Sequence, residues 1–205
     1  MGSQEPLTAG PGKTLDLVVG RRVRSMRRAK GLSLDRLAEG TGLSTGFLSQ
    51  VERGLSSPSL RDLAIIAERL DIGIADFFDG GDPQAEGAKG DDVVVRRARR
   101  SRLQLWRAGI SKQLLTPRAG DSALSVYLVH LEPGASTGQE TYSHQGDEAG
   151  FVMAGALLLT VEDRTWRLER GDSFRFASRR PHRFSNPEAS PTTVIWVNVL
   201  SDHSS

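Results

Sequence analysis

The spacing of apolar residues changes near the middle of the chain. In the first part apolar residues recur every three or four positions, as on one face of an α-helix. Leu34, Leu37 and Ala38 share one face of a short helix, and Leu48 and Val51 share one face of a second. Further along, apolar and polar residues alternate, as in half-buried β-strands. We therefore expect a helical part followed by a β-rich part.

Capping and breaking residues delimit the predicted helices. Ser33 and Ser44 stand where a hydroxyl can accept hydrogen bonds from the free N–H groups of a helix start. Gly40 and Gly42 interrupt the chain between the two short helices. The remaining predicted elements of this part are a helix over 17–30, a helix that begins at Ser57-Pro58 with Leu60, Leu63, Ile66, Ala67 and Leu70 on its apolar face, and a closing turn over 74–78.

Two short helices joined by a tight turn are typical of a unit that places its second helix in the DNA major groove. Small or amide side chains, at Ser44, Thr45, Gly46 and Gln50, would line the start of that helix and approach phosphates and base edges. Residues 21–30 carry a basic run without an acid, which is expected to attract phosphates. The alternative is a helical interaction bundle whose arginines are simply solvated.

The run KGLSLDRLAEGTGLSTGFLSQVERGLSSPSLRDLAIIAERLDI resembles the helix-turn-helix of phage-repressor-like regulators, the XRE family, over roughly residues 15–79. This resemblance implies an N-terminal all-α, lambda-repressor-like bundle. It places Thr45, Gly46 and Gln50 at base-facing positions, although Gly46 has no side chain with which to read a base. The DNA-contact prediction is completed by residues near the DNA backbone, namely Ser33, Ser44 and Arg53, and by Arg27 and Arg28 of the basic run.

Short strands separated by turn signals follow from residue 93 onward, which favours an antiparallel sandwich or barrel with a pocket at its mouth. The turn signals include Glu132-Pro133-Gly134, Gly155 and Asn186-Pro187. The strand candidates are residues 93–95, 103–106, 124–131, 151–153, 157–161, 166–168, 174–176 and 193–199.

Length and composition indicate two domains. We predict a disordered arm over 1–14, a DNA-binding domain over 15–79, a linker over 80–92, a small-molecule domain over 93–200 and a tail over 201–205. The formal net charge is only +2, so the basic character is local. The absence of cysteine excludes disulfides and thiolate chemistry. Without a signal sequence or a long apolar run, we expect a cytoplasmic protein with no membrane association.

His144 and Glu148 lie four residues apart, and His182 follows later in the β-rich part. Two imidazoles and one carboxylate are a ligand set that suits a divalent iron, nickel, manganese or zinc ion. The same three side chains would also serve as hydrogen-bonding groups in an organic-ligand pocket. The sequence leaves both interpretations open.

The runs PGASTGQETYSHQGDEAGFVMAG and RGDSFRFASRRPHRFSNP resemble the two motifs of the cupin family, over roughly residues 95–200. This implies an all-β cupin barrel, the double-stranded β-helix or jelly roll. His144, Glu148 and His182 match three of its four metal-ligand positions, and Tyr142 stands at the position of the first histidine. The predicted effector pocket comprises those matched residues and Tyr142 together with Tyr127 and Arg107.

The two domains together resemble XRE-family regulators with a C-terminal cupin sensor. That resemblance implies a non-enzymatic homodimer that binds a double-stranded DNA operator and responds to a small-molecule effector. The alternative is a mononuclear non-haem iron cupin enzyme that resembles the 2-hydroxypropylphosphonate epoxidase, in which Lys30 would reach the pocket.

Overall fold

The computed structural model describes residues 11–77, 92–105, 108–117 and 123–200, without the side chains of residues 11–15 and 75. Most of the predicted arm and linker, the tail over 201–205, and Arg107 therefore lie outside the described residues. By the density of contacts the chain divides into two units, Met1–Ser57 and Pro58–Ser205.

The described part of the first unit, residues 11–57, holds three helices: α1 Pro11–Ala29, α2 Leu34–Thr41 and α3 Thr45–Glu52. The predicted helices are confirmed, but α1 begins at Pro11, so residues 11–14 of the predicted arm are helical. Both predicted caps are present, because the hydroxyl of Ser33 accepts from the Arg36 N–H and that of Ser44 from the Phe47 N–H, each at 3.1 Å. Gly42 ends α2 in the left-handed conformation, with φ 69°.

The core of the first unit lies where α1 and α2 meet α3. Val23, Leu37, Leu48 and Val51 are buried there. A Cβ added to Gly20 of α1 would lie 2.1 Å from the carbonyl oxygen of Val51, so the two backbones pack too closely for any side chain at that position.

A buried ion pair joins α1 to α3. Arg27 donates from Nε to Oε1 of Glu52 at 2.6 Å and from Nη2 to Oε2 at 2.9 Å, a two-pronged arrangement. Its Nη1 donates to the carbonyl of Leu32, in the turn before α2, at 2.6 Å. The guanidinium therefore fixes three segments of the chain relative to one another.

The second unit begins with helix α4, Leu60–Leu70, and a 3-10 turn over Ile74–Phe77. Ser59 and Asp62 form a capping box at the start of α4, in which each side chain accepts from the other's backbone N–H. The predicted apolar face is confirmed, since Leu60, Leu63, Ile66 and Leu70 are buried together with Ala67. Within the described residues no helix is long and apolar enough to cross a membrane.

The rest of the second unit is an antiparallel two-sheet structure, as predicted. One sheet has the order β1-β2-β3-β9-β4-β7 and the other β6-β5-β8. The strands are β1 Arg102–Leu105, β2 Ile110–Leu114, β3 Leu124–Leu131, β4 Asp147–Ala154, β5 Ala156–Val161, β6 Arg164–Glu169, β7 Ser173–Ala177, β8 His182–Ser185 and β9 Thr192–Val199.

The core of this structure lies between the two sheets. Trp196 of β9 packs with its ring centroid 4.6 Å from that of Phe184 in β8, so the pair joins the larger sheet to the smaller one. Trp196 also meets Phe174 of β7 edge to face at 4.8 Å. Such aromatic contacts contribute about 0.5–1.5 kcal/mol each beyond the burial of their area.

The strand prediction fails in three places. The predicted strand over 93–95 is wrong, because this segment belongs to neither sheet and the side chain of Val93 is 78% exposed. β-Branched residues favour a strand only where a sheet gives them neighbours to pack against. Strands β2 and β8 were not predicted, since the polar residues Lys112 and His182 occupy buried positions in their alternating patterns.

We predict that Glu52→Gln lowers the free energy of unfolding of the first unit by about 3–5 kcal/mol, because it leaves the buried guanidinium of Arg27 without its carboxylate. The matched control is Glu39→Gln, which breaks the exposed Arg36–Glu39 pair and should cost about 0–1 kcal/mol. Urea unfolding followed by far-UV circular dichroism measures both. Equal losses in the two variants would contradict the role assigned to the Arg27–Glu52 pair.

Candidate functional site

The candidate site in the second unit is built around Glu148 of β4. Its register places it between Asn198 of β9 and Phe176 of β7. The side chain points into the space between the sheets and is only 3% exposed. Asn198 donates from Nδ2 to Oε1 of Glu148 at 3.1 Å, so the carboxylate is held from the neighbouring strand.

Two loops bring the histidines to this carboxylate. His144 precedes β4, and its backbone N–H donates to the carbonyl of Ser178 at 3.0 Å. The turn between His144 and Glu148 uses Gly146 at φ 108°, where an added Cβ would lie 2.2 Å from the Val199 carbonyl oxygen. His182 opens β8, and its backbone exchanges two hydrogen bonds with Tyr142.

The three predicted ligand residues converge. Nε2 of His144 lies 2.9 Å from Oε1 of Glu148, and Nε2 of His182 lies 3.6 Å from Oε2. The ligand atoms of all three lie within 4.8 Å of one another, so the group could hold a metal ion.

Backbone carbonyls fix the orientation of both imidazoles. Nδ1 of His144 lies 3.0 Å from the oxygen of Gln145, and Nδ1 of His182 lies 2.9 Å from the oxygen of Arg180. Because a carbonyl only accepts, we assign the ring hydrogen to Nδ1 in each case. Each neutral ring then directs the lone pair of Nε2 towards Glu148, as a metal ligand requires.

This arrangement calls for a cation. Lone pairs of Nε2 and of carboxylate oxygens face each other, which is favourable only if a proton or a metal ion lies between them. Oε2 of Glu148 and Nε2 of His182 are buried and make no hydrogen bond to any described residue. The donor set, two imidazole nitrogens and one carboxylate, fits a divalent ion.

The pKa values reflect the same cluster. Burial alone would raise the pKa of Glu148, but the hydrogen bond from His144 and the charges of His144, His182 and Lys112 outweigh it and lower the pKa. For His144, burial acts to lower the pKa, but the interactions with Glu148 raise it. For His182, burial prevails and lowers the pKa. The two imidazoles are therefore shifted in opposite directions: the contact with Glu148 favours the protonated form of His144, and burial favours the neutral form of His182.

Tyr142 lies beside the cluster at the position of the absent fourth ligand. Its ring centroid is 4.3 Å from that of His182. Burial and the charge of Glu148 hold the pKa of its phenol well above the ordinary value, so it remains a neutral phenol. In the state described here Tyr142 packs on the site and keeps its proton.

A cavity of about 520 Å³ gives access to the cluster, and its lining includes Tyr127, His144 and Asn198. Tyr127 was predicted as a pocket residue, whereas Arg107 lies outside the described residues. Lys112 of β2 was not predicted as a site residue, and it is buried among the rings of Tyr127, Phe184 and Trp196. A signal was present, since Lys112 alternates with Ile110 and Leu114, both on the buried face.

In the first unit the structure leaves all but one of the predicted DNA contacts on the surface. The exposed ones are Ser33, Ser44, Thr45, Gly46, Gln50, Arg53 and Arg28. Arg27 is different: it is only 7% exposed, and its guanidinium is committed to Glu52 and Leu32. Its prediction as a DNA contact is therefore corrected to a positioning role for α3. A basic run gives no sign of which of its members faces inward.

Comparison with known proteins supports both predicted domains. A family model described as helix-turn-helix matches residues 23–77, and one described as cupin domain matches residues 127–198. The transcriptional regulator PuuR of Escherichia coli is 28% identical over 183 residues, which cover 89% of this chain and 95% of PuuR. The transcriptional regulator SutR of Escherichia coli is 27% identical over 167 residues, which cover 80% of this chain and 84% of SutR.

A solved structure shares the fold. The crystal structure of an HTH_3 family transcriptional regulator from Vibrio cholerae superposes with a TM-score of 0.70 at 24% identity, covering 93% of this chain and 99% of that one. The predicted fold class, helix-turn-helix followed by cupin, is thereby confirmed. The chain thus combines a helix-turn-helix domain with a cupin domain and is homologous to PuuR and other helix-turn-helix transcriptional regulators.

Proposed function

We propose that this regulator binds a specific DNA operator as a homodimer and that a small effector, bound in the cupin domain, modulates that binding. The observation that carries the proposal is the exposed start of α3, capped by Ser44 and held in place by the buried Arg27–Glu52 pair. A cytoplasmic location goes with this proposal, because the operator is chromosomal.

The exposed residues of α3 suit base and backbone contacts. Gln50 is exposed, and its side-chain amide can make paired hydrogen bonds to adenine. An added Cβ at Gly46 would meet nothing within 4 Å, so the DNA backbone can come close there. Thr45 donates to Asp35 of α2 at 3.2 Å, which orients its hydroxyl at the same end of the helix. Ser33, Arg28 and Arg53 are assigned to phosphates.

Dimerisation is supported by the outer face of the six-stranded sheet. Leu128, Ile195 and Phe151 lie side by side across β3, β9 and β4. Phe151 and Met153 are 46% and 45% exposed, which is costly for a surface of this kind in a monomer. A second copy packed on this face would pair two reading heads, and a two-fold dimer reads two half-sites about one helical turn apart.

His144, Glu148 and His182 are the residues assigned to hold a divalent iron, nickel, manganese or zinc ion. Such an ion would supply a Lewis-acidic contact for an oxygen atom of the effector. The chain's own residues orient and enclose the site. Asn198 donates a hydrogen bond to the Glu148 carboxylate, Tyr142 packs against His182, and Tyr127 lines the cavity. The effector reaches it through the cavity.

The effector acts by its differential affinity for two states of the regulator. It can shift operator binding only by the ratio of its affinities for the DNA-competent and DNA-incompetent states. A coupling of about 1–3 kcal/mol, typical of allosteric proteins, corresponds to a change of about 5–150-fold in operator affinity.

We predict that Gln50→Ala costs about 1–3 kcal/mol of discrimination between an operator and a shuffled duplex while leaving the salt dependence unchanged. Arg28→Ala should weaken binding to both duplexes and reduce the slope against log salt by about one. Duplexes enriched from a random pool by the full-length protein serve as operators in fluorescence anisotropy. Gln139→Ala, an exposed glutamine of the second unit, is the control. Equal affinity of the wild-type protein for enriched and shuffled duplexes would refute operator recognition.

We predict that the wild-type chain is a dimer and that Phe151→Arg makes it a monomer, because an arginine cannot be buried unpaired in the apolar sheet face. Size-exclusion chromatography with light scattering measures the mass. Trp166→Arg is the control, since Trp166 is an aromatic of similar exposure on the other sheet. A monomeric wild type, or a dimeric Phe151→Arg, would show that this face is not the interface.

We predict that chelator-treated protein binds at least one of Mn²⁺, Fe²⁺, Ni²⁺ and Zn²⁺, and that His182→Ala or Glu148→Ala weakens this binding at least about a hundredfold. Isothermal titration calorimetry measures the affinities. The control is His130→Ala, since His130 lies outside the cluster with Nδ1 3.1 Å from the Thr193 hydroxyl. If no ion binds, the cluster is a proton-holding pocket; if iron-loaded protein consumes oxygen with an organic phosphonate, the enzymatic alternative replaces the regulator.

A further inference from the structure

Lys112 is a buried cation that no role above has used. It lies on β2 between Ile110 and Leu114, both buried, and only 4% of its surface is exposed. A lysine at such a position normally has a carboxylate partner, because removing an ammonium group from water is costly.

Aromatic rings surround the ammonium group. Nζ lies 5.5 Å from the ring centroid of Tyr127, 5.8 Å from that of Trp196 and 6.0 Å from that of Phe184. Within the described residues no carboxylate approaches Nζ to the 4.0 Å of an ion pair, and Glu148 acts on it only through its more distant charge. The cation is thus sheltered by rings without being neutralised by direct contact.

The two buried charges inside the barrel are not paired with each other. Among the buried residues described in the second unit, Glu148 is the one carboxylate and Lys112 the one lysine or arginine. The carboxylate of Glu148 is engaged by Asn198 and His144. The ammonium of Lys112 therefore has no counter-charge in contact with it among the described residues, and burial makes an unpaired charge expensive.

Hydrogen-bond donors accompany this charge. Nε1 of Trp196 is buried and donates to no described residue. Its ring is one of the three beside the ammonium of Lys112, so two donor-bearing side chains occupy the same layer of the barrel. Tyr127, whose ring faces the ammonium of Lys112, also lines the cavity, so this ring separates the cavity from the layer that holds the two donors.

We propose that the effector is a small organic acid whose carboxylate is bound by Lys112, with the indole N–H of Trp196 as a second donor. The inference rests on the proposed function, in that it assigns a chemical class to the effector of the cupin domain. A carboxylate satisfies these donors and gives the ammonium of Lys112 the counter-charge that it lacks. An amine would place a second cation beside it. Burial, partly opposed by Glu148, lowers the pKa of Lys112 to about 8, so the side chain remains mostly charged at neutral pH.

The test compares matched ligands on the full-length protein by thermal shift and calorimetry. The probes are benzoate and succinate, with benzamide and succinamide as neutral counterparts and 1,4-diaminobutane as the amine counterpart of succinate. We expect at least one carboxylate to raise Tm while its amide and the diamine do not. Lys112→Met should weaken the binding of that carboxylate by about thirtyfold or more.

Arg164→Met is the matched control, because Arg164 is an exposed cation 5.9 Å from the ring centroid of Trp166. It should bind the carboxylate as the wild type does. If no carboxylate binds, if amides bind equally well, or if Lys112→Met binds as the wild type does, the inference is overturned. If Lys112→Met does not fold, the acid–amide comparison on the wild type still decides between these results.

Operator binding, measured on the same preparations, separates this inference from the proposed function. Carboxylate binding without selective DNA binding would refute the proposed regulator function and support the assignment of the ligand as an organic acid. Selective DNA binding without carboxylate binding would refute only the assignment of the ligand as an organic acid.

Discussion

The buried carboxylate of Glu148 is the constraint on which the second unit depends. It lies opposite Asn198 because β4 and β9 pair in one register, and a shift by one residue would turn it to the outer face of the sheet. Its negative charge raises the pKa of His144 and partly offsets the desolvation of His182 and Lys112. The strand register therefore fixes both the geometry of the site and its protonation.

The first unit depends in the same way on Glu52. Its carboxylate neutralises Arg27 and joins α1 to α3, so the angle at which α3 leaves the bundle is set by a buried ion pair as well as by apolar packing. The close approach of α1 and α3 at Gly20 reinforces it. A recognition helix needs this rigidity, because errors of about an ångström in its placement misalign every contact with the bases.

The apolar period was enough to predict α2, α3, α4 and most strands, because burial on one face dictates that period. It was not enough for β2, where Lys112 occupies an inward position, or for residues 93–95, whose β-branched side chains have strand propensity without a place in a sheet. His144, Glu148 and His182 were found from residue type and spacing. The Arg27–Glu52 pair was not, since local sequence does not reveal which of several arginines meets an acid 25 residues away.

The cation between the histidines and an anion at Lys112 would be thermodynamically linked. The bound cation and the bound anion attract each other, so binding of either increases the affinity for the other by the same factor. If both bind, the metal ion and the organic acid would act as one composite signal. Tyr142 keeps its proton and supplies no negative charge to the site. A metal ion held by His144, Glu148 and His182 would have three protein ligands and open positions that an oxygen of the proposed effector could occupy.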